Sequence, residues 1–203
     1  MTDKFGLVSY DEVDLGKPQG SNKRPGSKED WMRLEQGNNE VRIFTDPYQY
    51  TEHRYKVEGD KGYGERIRCS AVSHGYCPIC AMRDPKTGRQ LFPPKPRWLL
   101  GVIDRKTNSA KILDVSKSVF QALKKFNAND RIGDPKKYDI NIEVDKNADP
   151  ANFYSVQNYP KEPLSETDVE LKKGFDLEAL KRRCIPPSPD AVKELLLRIH
   201  AKK

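Results

Sequence analysis

Four residues in the first half of this 203-residue chain have the types and spacing of a metal site. Cys77-Pro78-Ile79-Cys80 is a C-x2-C hook, and seven residues separate it from Cys69. One histidine added to three cysteines completes a Cys3His set, which holds zinc tetrahedrally and leaves no position open for an activated water. A closed site of this kind is structural. Two histidines compete for the fourth place. His74 gives Cys69-x4-His74-x2-Cys77, which crowds four ligands into twelve residues. His53 gives His53-x15-Cys69, which places the ligand on a neighbouring strand. The second spacing is favoured, with His74 as the alternative. Cys184 lies far from the hook and reads as a small buried core residue.

Other uses of the hook fit the sequence less well. A redox C-x2-C opens a helix inside a βαβ unit, and no such unit surrounds this one. A zinc deaminase needs a His-x-Glu general acid/base, and no glutamate stands two residues after His53, His74 or His200. The expectation is one structural Zn2+ and no enzymatic activity. Residues 69–96 hold few large apolar side chains, so four metal bonds would hold a conformation that burial cannot.

The elements that must position these ligands read as follows. Residues 1–28 are polar and broken by Pro and Gly, a flexible basic N-terminal arm. Ser27-Lys28-Glu29-Asp30 reads as a helix cap, with Trp31 and Leu34 on the buried side and Gly37 ending the helix. Alternating segments predict strands over 40–45, 50–58, 63–69, 96–105, 110–115, 138–144 and 153–159. Ser116 or Ser118 caps a helix carrying Val119, Phe120, Leu123 and Phe126. Asp176 starts a short helix that Pro186-Pro187 breaks. Ser188-Pro189 starts another, with an apolar stripe at Val192, Leu195, Leu196 and Ile199. The expected fold is mainly β with α additions. Short strands with one internal helix suit an OB-fold barrel, here at 29–160, with an inserted zinc-binding subdomain at 53–96 and C-terminal helices at 161–203.

Charge is unevenly placed. The chain carries 37 basic and 30 acidic residues, a net of +7. Residues 61–106 alone carry 10 basic and 3 acidic side chains, so the flanks cancel. A localised surplus marks a polyanion partner better than a high isoelectric point does. Rings interleave with the cations: Tyr63, Tyr76, Phe92 and Trp98 among Arg66, Arg68, Arg83, Lys86, Arg89, Lys95, Arg97 and Arg105. Cations that track phosphates, alternating with rings on which bases stack, describe a binder of single-stranded nucleic acid. Duplex readers instead place a basic helix in the major groove, and the amphipathic helices here lie outside the basic segment. No long apolar run or leader-like segment is present, so neither a membrane nor secretion is expected.

The stretch Cys69-Ser70-Ala71-Val72-Ser73-His74-Gly75-Tyr76-Cys77-Pro78-Ile79-Cys80 resembles the zinc loop of the T-even-type bacteriophage single-stranded-DNA-binding (helix-destabilising) protein family. The upstream histidine and the Arg-x-aromatic strand, followed by a hairpin and the Val119–Phe126 helix, are similar too. The resemblance spans roughly residues 27–145. It implies that His53 is the ligand and His74 a bystander, and that the fold is an OB-fold with a zinc subdomain. It further implies cooperative coating of single-stranded DNA in replication, recombination and repair. Self-association along the DNA and contact with replication proteins would follow, in the host cytoplasm if the protein is phage-encoded. The basic arm of that family has only a faint counterpart at Asn22-Lys23-Arg24-Pro25-Gly26-Ser27.

Overall fold

The computed structural model describes residues 31–57, 59 and 64–201. The arm at 1–28, the cap at Ser27–Asp30 and Tyr63 lie outside them. The chain is mainly β, with a mixed sheet and several helices, and it divides into two units. One, the core unit, comprises residues up to 48 with 98–183; the other, the metal unit, comprises 49–97 with the segment from Cys184 onward.

Period-2 patterning builds the core unit. Its strands are β1 (Trp31–Met32), β2 (Glu40–Ile43), β5 (Lys95–Asp104, of which Trp98 onward belongs here), β6 (Ser109–Val115), β7 (Tyr138–Val144) and β8 (Tyr154–Lys161). They are ordered β1-β6-β5-β2-β7-β8. All neighbours are antiparallel except β1 and β6, which run parallel. Helix α3 (Lys117–Asn127) turns its buried Val119 and Leu123 onto this sheet's apolar cluster, with Val41, Leu100, Leu113, Ile140 and Ile142. Gly101 is required at its position: a Cβ there would stand 2.7 Å from the Thr45 methyl and 2.9 Å from the Phe44 ring. The Phe44 ring meets Phe175 edge-on, at 5.0 Å between centroids.

Two features of the core unit differ from the sequence reading. The helix expected at Trp31–Leu34 is instead the short strand β1, with Trp31 opposite Ile112 and Met32 opposite Leu113. Burial of Met32 in the apolar cluster and the place of Arg183 over the Trp31 ring, at 4.9 Å, outweigh a local cap signal. Helix α4 (Glu166–Lys173) was not expected, because the side chain it buries is Asp168 rather than an apolar residue. Its sequence signal is Ser165-x-x-Asp168, a reciprocal capping box. Helix α5 (Leu177–Arg182) follows, capped by Asp176 through a 2.8 Å bond from the Ala179 N–H.

The metal unit contains β3 (Tyr48–Tyr55, of which Gln49 onward belongs here), paired antiparallel with β4 (Glu65–Arg68). Two single-turn helices follow, α1 (Ala71–His74) and α2 (Pro78–Ala81). Helix α6 (Pro189–Ala201) belongs here as well. The C-terminal segment is therefore divided: α4 and α5 lie in the core unit, and α6 lies with the cysteine hook.

Candidate metal centre

Strand pairing places His53. It sits opposite Ile67 in the β3–β4 ladder, with its side chain fully buried. Cys69 follows β4 directly, and its N–H donates to the Thr51 carbonyl at 2.8 Å. Helix α1 then ends at Gly75, whose left-handed φ of 69° turns the chain back. That reversal delivers Cys77 as the N-cap of α2, with Pro78 at the first helical position and Cys80 one turn on.

The four ligand atoms of His53, Cys69, Cys77 and Cys80 all lie within 4.8 Å of one another. His74, on α1, is not part of that cluster. Cys77 Sγ is 3.4 Å from His53 Nε2, Cys80 Sγ is 3.6 Å from it, and Cys69 Sγ and Cys80 Sγ are 3.5 Å apart. These separations approach the edges of a tetrahedron whose metal–sulfur arms are about 2.3 Å, roughly 3.8 Å. A disulfide would need about 2.05 Å, so Cys69 and Cys80 are not bonded. The cluster fits one tetrahedral ion and has the donor set of a closed site.

A second layer of contacts orients these ligands. The Phe92 carbonyl lies 2.8 Å from His53 Nδ1. A carbonyl only accepts, so Nδ1 carries a proton and Nε2 is the ring nitrogen that faces the sulfurs. Ser70 is fully buried, and its hydroxyl donates to the Tyr76 carbonyl at 2.8 Å. Gln90 donates to the Cys80 carbonyl at 3.2 Å. Burial opposes ionisation of Cys77, but hydrogen bonds from His53, the Cys80 backbone and Ser70 overcome it and bring this thiol down to about 5. Burial and the adjacent Cys69 push Cys80 up to about 12, and burial raises Cys69 as well. Three thiolates packed this closely would repel one another, which opposes their ionising together, and a cation among them would remove the conflict.

The remaining residues that the sequence marked for binding fall into three settings. Arg83, Lys86, Arg89 and Lys95 are exposed. The first three ride on a tight loop. Its base is Leu91 N–H donating to the Met82 carbonyl at 3.1 Å, and its turn is held by Asp84, which accepts from the N–H groups of Lys86 and Thr87 at 2.7 and 3.2 Å. Tyr76 is 49% exposed, one residue before a ligand. A second group has protein partners within the metal unit. Arg66 pairs with Glu52 at 2.6 Å and donates to the Tyr50 hydroxyl at 2.8 Å, while Arg68 lies over the Tyr50 ring at 5.5 Å. Phe92 packs on Tyr55, with centroids 4.9 Å apart. Arg97 is half-buried.

The third group belongs to the core unit. Trp98 is buried and stacked on Phe120 at 4.0 Å with 9° between planes. Arg105 is shared by two carboxylates: it donates to Asp139 at 2.7 and 2.9 Å and to Asp168 at 2.7 and 3.1 Å. Asp139 also takes the side chain of Arg42, which in turn donates to the Glu162 carbonyl at 2.9 Å. Sequence reasoning did not find Arg42, Asp139 or Asp168, whose separation along the chain hides the network. Ser70 and the Phe92 carbonyl escaped it too, because neither carries a motif. Among the described residues no helix is long and apolar enough to cross a membrane. Neither a protein-family model nor any curated protein sequence matches the chain.

Proposed function

We propose that this chain is a non-enzymatic, zinc-stabilised protein of OB-fold type that binds single-stranded DNA with little sequence preference. The observation that carries the reading is the exposure of Arg83, Lys86 and Arg89 on a loop that leaves the hook directly after Cys80, together with Tyr76 exposed one residue before Cys77. Cations and a ring held at fixed positions by a metal can track phosphates and stack a base without first ordering a loop. A Cys3His set with no open position supplies no catalytic water, which agrees with a binding role. Trp98 and Arg105 drop out of the contact set in this reading, because the first is packed and the second is shared between two carboxylates. The resemblance to the T-even-type family supports the same conclusion, and adds self-association along the strand and contact with replication proteins.

A second reading is a zinc-braced adaptor for a protein partner, which the exposure of Val72 at 52% and Leu91 at 48% favours. One experiment separates the two: fluorescence anisotropy of labelled oligo-dT across a salt series. Four phosphate contacts give a slope of log affinity against log salt near −3, at about 0.7 per contact. Duplex DNA should compete poorly. Absence of binding at low salt would overturn the proposal in favour of the adaptor. Stronger competition by oligo-rU than by unlabelled oligo-dT would move it to RNA.

A further inference from the structure

The metal unit is built from two stretches of sequence with 86 residues between them, 49–97 and the segment from Cys184 onward. Its apolar cluster has seven buried members: Tyr55, Ile67, Cys69, Cys77, Ile79, Val192 and Leu196. Two of these are metal ligands, and two are supplied by α6. Ile199 packs at the margin of the same cluster, and the Tyr55 hydroxyl meets His200 Nε2 at 2.6 Å. Leu197, one residue from the buried Leu196, is 70% exposed, so α6 presents a defined inner face.

Neither half of this cluster has the means to stand alone. Helices α1 and α2 are four residues each, far below the length at which a helix holds itself in water. At 13 residues, α6 sits at that limit, since isolated helices shorter than about 12–15 residues are marginal even with favourable composition. Its inner face must be covered to persist, and what covers it is the cysteine hook together with Tyr55 of β3 and Ile67 of β4.

We infer that the metal centre and the C-terminal helix form one cooperative unit, so that metal occupancy decides whether α6 is docked or released. Release uncovers the stripe Val192–Leu196–Ile199, which makes α6 a metal-controlled element. Linkage is reciprocal: if metal holds α6, then α6 strengthens metal binding by the same factor. This inference needs no nucleic acid, and it stands or falls independently of DNA binding.

The test uses the full chain loaded with zinc, read by hydrogen exchange before and after chelation. Amides of 189–201 should lose protection together with those of 65–82, while β7, in the core unit, keeps its own. Protection of 189–201 that survives metal removal overturns the inference, as does loss of β7 protection in the same step, which would make the transition global. The reciprocal arm compares neighbouring leucines by competition with a chromophoric chelator. Leu196→Ala should weaken zinc binding about tenfold, and Leu197→Ala should leave it unchanged. Equal zinc affinity in the two variants overturns the inference even if either one is less stable.

Discussion

The two units hold their backbones by different means. Among the described residues, the main apolar cluster of the core unit has thirteen buried members, among them Val41, Leu100, Val102, Leu113, Ile140 and Ile142. The corresponding cluster of the metal unit has seven among the described residues, and two of those are cysteines of the candidate metal site. Charge divides in the same way. Counted over the sequence, residues 49–97 and 184–203 carry 14 basic and 7 acidic side chains, whereas the rest of the chain carries 23 of each. All of the +7 therefore belongs to the unit with the smaller core. A segment dense in repelling, solvated cations has little apolar surface left to bury, and the His53, Cys69, Cys77 and Cys80 cluster has the donor set through which a few strong metal bonds would supply what that surface cannot. The neutral unit, with its cations matched by carboxylates, folds by burial.

The sharpest way to break this comparison is to remove the metal. Structural zinc contributes roughly 10–16 kcal/mol in small domains, so Cys77→Ala should abolish stoichiometric zinc and unfold the metal unit. Amide resonances of β2, β5, β6 and β7 should persist; their collapse in the same variant would mean the core unit does not stand on burial. The mirror experiment is Ile140→Ala in the core unit. Emptying a fully buried site costs about 2–5 kcal/mol, and denaturant unfolding should show that loss with zinc content unchanged.

Next in size is the network of Arg42, Asp139, Arg105 and Asp168. Removing charge from one partner of a buried hydrogen-bonded pair costs about 1–3 kcal/mol, and Asp168→Asn should approach this because its side chain is 3% exposed. Burial resists ionisation of Asp139, but hydrogen bonds from Arg105 and Arg42 hold its carboxyl below the usual range; the Arg105 fork does the same for Asp168. A lowered folded pKa means the unfolded chain binds protons first. This contribution to stability is therefore complete above the unfolded value near 4 and is lost as pH falls through the lowered folded values. Asp168→Asn should flatten the acid limb of the stability curve of the core unit, and an unchanged limb would remove the network from that account.

The smallest expected change sharpens the charge contrast. Replacing Arg83, Lys86 and Arg89 by alanine should reduce the salt slope for oligo-dT by about 2, near 0.7 for each lost contact. The melting temperature should barely move, since exposed substitutions stay within about 0.5 kcal/mol. Replacing the exposed Lys124, Lys125 and Lys172 of the core unit should leave the slope as it was. Equal effects of the two triple variants would show that net charge, rather than its place on the metal unit, governs binding.

Much of this molecule is legible along the chain because the relevant physics is local. The alternation in Tyr138–Val144, the stripe of α3 and the C-x2-C hook each lie within a dozen residues, and the structure has them where the pattern puts them. Spacing alone reduced the fourth metal ligand to two histidines. What it could not decide depends on which distant segments meet. His53 joins the cysteines because β3 and β4 pair in a register that buries it opposite Ile67, while His74, nearer in sequence, stays on α1 outside the cluster. Arg105 reads as a free cation until Asp139 and Asp168, 34 and 63 residues away, close on it. Helix α6 is amphipathic by its own pattern, but its partner is a hook more than a hundred residues earlier in the chain. Local propensity and ligand chemistry are properties of residue types, and the sequence determines them alone. Partner choice among charges, histidines and apolar faces is a property of the packed chain, because burial and pairing energies exist only once remote segments are in contact.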